Sequence, residues 1–140
     1  MLYLITGGSG SGKSEYAENK LCELSKKTNS SKVYLATMIP YGRETEEKIN
    51  RHRQMRAKKN FQTEECFTNL PKFVENMKSQ KDLDKKEVVL LECMSNLVAN
   101  ELFDETGVNT ILKKEEPALS DNEVIEKLTG YILNGVEKLN

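Results

Sequence analysis

Short apolar runs alternate with longer amphipathic stretches along this chain, and the alternation predicts strands separated by helices. Three runs have the length and composition of buried strands: Leu2–Thr6, Val33–Met38 and Val88–Glu92. Phe61–Phe67 is a weaker candidate, because its aromatic and threonine residues occur beside two glutamates. Strands joined through helices favour right-handed crossovers in a parallel sheet. The sequence therefore predicts an α/β fold, in one domain over residues 1–140.

Helical periodicity fills the gaps between these runs. Residues 15–27 carry apolar positions among charges, and residues 43–59 form a second, highly charged amphipathic pattern. Asn69 is predicted to cap a short helix. Met94–Phe103 reads as another helix, directly after the third strand run.

A final helix is predicted to begin at a capping box formed by Ser120 and Glu123. Its apolar stripe contains Val124, Ile125, Leu128, Ile132, Leu133 and Val136. Two connections, 79–86 and 104–119, are charged or polar and are predicted to be loops.

The first apolar run leads directly into GGSGSGKS, which matches the phosphate-binding pattern G-x-x-x-x-G-K-[ST]. Glycines allow the backbone to turn its N–H groups around a phosphate, and the start of the following helix adds partial positive charge. Lys13 is expected to reach the β- and γ-phosphates, and the Ser14 hydroxyl to bind Mg²⁺. The sequence therefore predicts a nucleoside triphosphate site. Its loop residues are Gly7, Gly8, Ser9, Gly10, Ser11, Gly12, Lys13 and Ser14.

Glu92 is the second strong signal for this chemistry. It ends a run of four apolar residues that is predicted to be a central parallel strand. Ligands of α/β sheets lie at the carboxyl ends of the strands. In phosphate-loop enzymes an acid at this position holds Mg²⁺, so Glu92 is predicted to be the metal-side acid.

The charged helix predicted over residues 43–59 contains the single histidine of the chain, His52, between Arg51 and Arg53. Neighbouring cations disfavour a further positive charge, so we expect a lowered pKa for His52 and a neutral imidazole. A neutral imidazole can attack phosphorus while arginines hold the triphosphate. The alternative is a solvated charged helix in which the histidine has no catalytic role.

Composition narrows the class of protein. Twenty-one basic and 22 acidic residues give a net charge of −1, which argues against non-specific nucleic-acid or membrane binding. No apolar run approaches the roughly 20 residues of a membrane span, and the N-terminus does not resemble a signal sequence. The three cysteines are far apart and form no C-x-x-C pair. We therefore expect a cytoplasmic protein without a disulfide framework or zinc site.

Together these segments resemble the bifunctional adenosylcobinamide kinase / adenosylcobinamide-phosphate guanylyltransferase family of cobalamin biosynthesis. The phosphate loop alone names no family, but its combination with an I-x-x-H-R helix and an L-L-E-C strand is specific. The matching stretches, in family order, are ITGGSGSGKSEYAE, VYLATM, EEKINRHRQMR, FQTEE and VVLLECMSNLVANELF.

The resemblance implies a RecA-like phosphate-loop domain, usually assembled as a trimer, and two reactions. ATP or GTP first phosphorylates the aminopropanol hydroxyl of adenosylcobinamide. A histidine, here His52, then takes GMP from GTP and passes it to the new phosphate, with Mg²⁺ at the loop. The further nucleotide contacts that the resemblance implies are Ala36, Thr37, Met38, Arg53, Gln54, Met55, Arg56, Glu65 and Glu92.

Three differences from the family pattern stand out. Arg51 occupies a position where some members carry a second histidine, and Met38 replaces a small polar residue. Members also continue through a strand reading roughly V-T-N-E-V-G and a final strand pair. We therefore expect an uncovered sheet edge and marginal stability in the 140-residue chain. Two other functions stay open: a nucleotide-binding module without turnover, such as a truncated inactive copy, and a phosphate-loop kinase for another small molecule.

Overall fold

The chain divides into two units in the computed structural model, which describes residues 1–80 and 86–140. The first unit holds a sheet with two helices, and the second holds helices together with the short segment Thr37–Ile39. Most of the predicted loop 79–86 lies outside the described residues. The prediction that the chain is one domain stays a prediction.

Three parallel strands form the sheet of the first unit in the described residues, in the order β2-β1-β3. Strand β1 spans Ser31–Ala36, β2 spans Phe61–Glu65 and β3 spans Glu87–Glu92. Helix α1 (Lys13–Thr28) precedes β1, and helix α2 (Gly42–Ala57) connects β1 to β2. Parallel strands joined through helices confirm the predicted α/β fold. Six side chains of α2 lie outside the description: Glu44, Thr45, Lys48, Arg51, His52 and Met55.

The core of the first unit lies between α1 and one face of the sheet. Side chains alternate along a strand, so Tyr34 and its register partner Leu90 lie on the same face. Leu21 of α1 packs there in a buried cluster with Tyr34 and Phe61, and Val88 is partly buried against them. The apolar side of the amphipathic helix α1 is therefore the side that packs on the sheet.

Two predictions about the strands are wrong. Leu2–Thr6 forms no strand in the described structure, and its residues Leu2 and Leu4 are 67% and 85% exposed. Strand β3 lies at an edge of the sheet rather than at its centre, which β1 occupies, and its residues are only partly buried. An apolar run shows which residues can be buried, but a strand also needs a neighbour whose backbone is available for pairing.

The second unit contains four helices in the described residues: α3 (Leu70–Ser79), α4 (Met94–Phe103), α5 (Val108–Glu115) and α6 (Asp121–Leu139). The bounds of α4 are those that the sequence predicts. Helix α3 follows Asn69 as predicted, but the Asn69 side chain accepts a hydrogen bond from Tyr131 and makes no capping bond. No helix in the described part of the chain is both long and apolar enough to cross a membrane.

The start of α6 confirms the predicted capping box, in which Ser120 and Glu123 exchange hydrogen bonds with each other's backbone N–H groups. The predicted apolar stripe is narrower than expected. Its buried members in the core are Val124, Leu128 and Ile132, which follow one another at a spacing of four residues. Ile125 and Leu133 are each 54% exposed because they lie about 100° further around the helix.

Helix α5 lies within the region that the sequence predicts to be a loop, so that prediction is wrong. A buried carboxylate from α4 explains its position. The Glu101 side chain is fully buried, and it accepts hydrogen bonds from the backbone N–H groups of Asn69 (2.6 Å) and Val108 (2.9 Å). These two groups stand at the beginnings of α3 and α5, where helices leave N–H groups without intrahelical partners. One carboxylate therefore anchors both helices.

Candidate functional site

The phosphate loop forms an exposed turn directly before α1. Gly10 and Gly12 have φ angles of 70° and 81°, which side chains other than glycine rarely adopt. Gly12 is the N-cap of α1 and provides no side-chain cap, so the first turn of the helix is left open to an anion. The Lys13 ammonium lies over this loop and donates to the Gly8 carbonyl oxygen at 3.0 Å. A cleft of about 540 Å³ borders the loop.

Ser14 and Glu92 meet at this loop, although 78 residues separate them in the sequence. Ser14 lies in the first turn of α1, and Glu92 is the last residue of β3. The Ser14 hydroxyl donates to Oε1 of Glu92. The structure thus brings together the two residues that the sequence proposes for the metal side of the site, and their roles stay predictions.

Tyr34 is a neighbour of this pair that the sequence reasoning missed. Its hydroxyl donates to Oε2 of Glu92 at 3.0 Å. The Arg56 guanidinium stacks on the Tyr34 ring, with its carbon 3.6 Å from the ring centre. Tyr34 and Ala36 lie on one face of β1 because side chains alternate along a strand, and Ala36 is the register partner of Glu92. The register of β1 with β3 is therefore the signal that identifies Tyr34 as a neighbour of Glu92.

The predicted contacts on α2 fall into two places within the first unit. Arg56 is only 5% exposed, against Tyr34, and its Nε has no hydrogen-bond partner in the described structure. Arg53 forms an ion pair with Glu65 beside a separate open cleft of about 650 Å³. Gln54 is exposed. The side chains of two further predicted contacts, His52 and Met55, lie outside the described residues.

The predicted contacts at the end of β1 have different environments. Ala36 packs against the buried cluster of the first unit. Thr37 is fully buried, and its hydroxyl donates to the Cys93 carbonyl and accepts from the Cys93 N–H, each at 2.8 Å. Met38 is 39% exposed. The Thr37 hydroxyl is thus engaged with backbone, and its contact with a nucleotide stays a prediction.

The oxygen donors at the loop fit a magnesium ion shared with a nucleotide. A hydroxyl from Ser14 and a carboxylate from Glu92 are hard ligands, which Mg²⁺ prefers. Among the described residues, no group of three or more His, Cys, Asp or Glu side chains is placed to hold a metal by itself. Mg²⁺ commonly takes one or two protein ligands and completes its shell with water and phosphates. This donor set is therefore sufficient only together with a nucleotide.

Comparison with known proteins agrees with the sequence motifs. The family model described as cobinamide kinase / cobinamide phosphate guanyltransferase matches residues 3–133. The bifunctional adenosylcobalamin biosynthesis protein CobU of Escherichia coli (strain K12) is 36% identical over 107 residues, which are 76% of this chain and 53% of that protein. The CobU protein of Salmonella typhimurium (strain LT2) is 31% identical over 109 residues, 78% of this chain and 54% of that protein.

The alignments with the two CobU proteins cover only part of each relative. The chain spans about half the length of the curated relatives it matches. No solved structure gives a significant match. The family model nevertheless covers nearly the whole chain, including the phosphate loop, Glu92 and the helix that carries His52. The chain therefore belongs to the cobinamide kinase / cobinamide phosphate guanyltransferase family.

Proposed function

We propose that this chain carries the nucleotide site of an enzyme that phosphorylates adenosylcobinamide and then transfers GMP to the new phosphate. The observation that carries the proposal is the hydrogen bond between Ser14 and Glu92 at the phosphate loop. It joins a hydroxyl and a carboxylate beside the phosphate loop, which supports a site for the Mg²⁺ that accompanies a bound triphosphate. Family membership supports the substrate, a corrinoid, and both transfers.

In the first proposed reaction the corrinoid hydroxyl attacks the γ-phosphorus of ATP or GTP. A new P–O bond forms, the bond to the β-phosphate oxygen breaks, and the hydroxyl proton passes to water. The loop N–H groups and Lys13 hold the β- and γ-phosphates and offset their charge. Ser14 and Glu92 would hold Mg²⁺, which neutralises charge on the phosphates when bound.

In the second proposed reaction His52 is the nucleophile. Its unprotonated ring nitrogen attacks the α-phosphorus of GTP, an N–P bond forms, and pyrophosphate leaves. An oxygen of the corrinoid phosphate then attacks the same phosphorus and releases the histidine. The sequence pattern and the family resemblance support this role. Arg51, Arg53 and Arg56 are proposed to contact phosphates or the base.

The resemblance also supports a proposal for assembly and location. We propose a homo-oligomer, trimeric in the family pattern, that acts in the cytoplasm. Its mass in solution, measured by sedimentation equilibrium, tests the assembly.

Two labelling experiments test the proposed reactions. With adenosylcobinamide, Mg²⁺ and GTP labelled at the α-phosphorus, we expect labelled adenosyl-GDP-cobinamide. With Mg²⁺ and GTP alone, we expect one GMP per chain through an acid-labile, base-stable bond, as for a phosphorus–nitrogen linkage. His52→Ala should lose the adduct and the second reaction but retain phosphorylation of the corrinoid. An adduct at any other residue would overturn the mechanism.

Lys13→Ala provides the test of the loop. We expect it to abolish detectable GTP binding, because it removes the cation that faces the phosphates. Lys26→Ala is the matched control, since Lys26 is exposed in the last turn of the same helix. Wild-type affinity in a folded Lys13→Ala protein would refute the assignment of the loop.

A further inference from the structure

Each oxygen of the Glu92 carboxylate accepts a hydrogen bond from one hydroxyl group. Ser14 of α1 donates to Oε1, and Tyr34 of β1 donates to Oε2 at 3.0 Å. A carboxylate offers about four lone-pair positions, so both bonds leave positions for a cation. The two hydroxyl groups reach the carboxylate from different elements, so together they define its orientation.

The strand register explains why Tyr34 can reach Glu92. Tyr34 pairs with Leu90, which is two residues before Glu92, so all three lie on one face of the sheet. Two residues along a strand correspond to about 6.6 Å, a span that the length of a phenol side chain covers. Packing against Leu21 and Phe61 explains why an aromatic ring occupies position 34. Packing alone does not explain why this ring carries a hydroxyl group that hydrogen-bonds to Glu92.

Arg56 restrains the same ring. Its guanidinium carbon lies 3.6 Å from the ring centre, and its side chain is almost completely buried. A guanidinium stacked on an aromatic face is attracted to the ring electrons, more strongly where water is excluded. The stack therefore limits the movement of the Tyr34 ring, and helix α2 is connected to Glu92 through it.

We infer that Tyr34 is a positioning residue, which holds the Glu92 carboxylate at Ser14 and thereby raises the affinity of the nucleotide site for its divalent cation. Groups that orient a metal ligand typically change metal affinity by about 10- to 100-fold. The inference rests on the proposed use of a nucleoside triphosphate. It concerns how strongly the cation is held, and it assigns Tyr34 no contact with the nucleotide.

The test compares nucleotide binding with and without cation. The ligand is a GTP analogue with a methylene group between the α- and β-phosphates, which cannot transfer GMP. Calorimetric titration gives one Kd in Mg²⁺ and one Kd in EDTA. The Kd in EDTA divided by the Kd in Mg²⁺ is called the cation ratio here, and it measures how much the cation strengthens binding. Tyr34→Phe keeps the ring and the stack but removes the hydroxyl. We expect its ratio to fall at least about tenfold, with little change of the Kd in EDTA.

Tyr131→Phe is the matched control, because it removes another tyrosine hydroxyl that donates to a side chain, here that of Asn69. Its ratio should equal that of the wild type. An unchanged ratio in Tyr34→Phe, or an equal loss in both variants, would overturn the inference. Absence of binding by the wild-type chain would instead refute the proposed function, and this inference with it.

Thermal melting establishes whether Tyr34→Phe is folded. If it is not, Arg56→Lys takes its place, since lysine keeps the positive charge and loses the planar group that stacks on Tyr34. A contact between Arg56 and the nucleotide would change both Kd values together and leave their ratio unaltered. A lower ratio in Arg56→Lys supports the inference, and an unaltered ratio contradicts it.

Discussion

Gly107 lies where any side chain would collide with the end of α4. A Cβ atom there would be 2.6 Å from the carbonyl oxygens of Asn100 and Glu101, which are backbone atoms and have little freedom to move. A Cβ atom at Gly130, in the interior of α6, would instead point into open space. The two glycines therefore allow a matched comparison.

We expect opposite effects of alanine at these two positions. Gly107→Ala should lower the free energy of unfolding by about 1–3 kcal/mol, because the new methyl group forces the backbone apart. Gly130→Ala should raise it by about 0.5–1 kcal/mol, because alanine restricts the unfolded chain and favours the helix. Urea denaturation of both variants measures the difference. Equal effects at the two positions would contradict the close approach at Gly107.

Glu101 provides a prediction with a defined pH dependence. Each of its two oxygens accepts a hydrogen bond from one backbone N–H group. Glutamine would place its own amide N–H donors against one of these backbone N–H groups. Glu101→Gln should therefore lower the free energy of unfolding at pH 5 by about 1–3 kcal/mol, because the amide group carries two hydrogens where even a protonated carboxyl group carries one. Glu126→Gln, at an exposed position of α6, is the control and should have little effect.

The pH dependence follows from the burial of the carboxyl group. Burial raises the pKa of Glu101 above its ordinary value near 4.5, so the folded chain binds this proton more tightly than the unfolded chain. The contribution of Glu101 to stability is therefore complete below pH 4.5 and declines as the pH rises through the raised pKa. Glutamine does not titrate, so the advantage of the wild type over Glu101→Gln should shrink over that range. An advantage that grows with pH would show that the backbone N–H groups outweigh burial.

At the scale of elements, the predicted apolar strands Leu2–Thr6 and Val33–Met38 differ in outcome: the first forms no strand in the described structure, and the second overlaps β1. Leu4 is 85% exposed, whereas Leu35 in β1 is fully buried. Composition does not distinguish them, and the difference is whether neighbouring strands pair with the run. The sequence correctly predicts β1, β2 and α4, because their patterns are local.

This difference can be measured by one substitution in each run. Leu35→Ala should lower the free energy of unfolding by about 2–5 kcal/mol, because it leaves a cavity in a packed core. Leu4→Ala should change it by less than about 0.5 kcal/mol, as at other exposed positions. Equal losses, measured by chemical denaturation under the same conditions, would show that Leu2–Thr6 is buried in solution.

At the scale of the whole chain, sequence and structure contributed different parts of the candidate site. The motif predicts Lys13 and Ser14, and the end of an apolar run predicts Glu92, because each signal lies within a few residues. The hydrogen bond of Tyr34 with Glu92 joins two residues that are 58 positions apart, on strands β1 and β3, and it depends on the register of these strands. Helix α5 was missed for a different reason: its N-cap, Gly107, provides no side-chain cap, and the carboxylate that holds its first turn comes from α4.

The Glu101 carboxylate also has a consequence for the order in which the second unit folds. Its bond to Val108 closes a loop of 7 residues, and its bond to Asn69 closes one of 32 residues. Loop-closure entropy makes the longer closure costlier by about 1.3 kcal/mol. We therefore expect the pair α4–α5 to form first and α3 to join it afterwards, at an acceptor that is already in place.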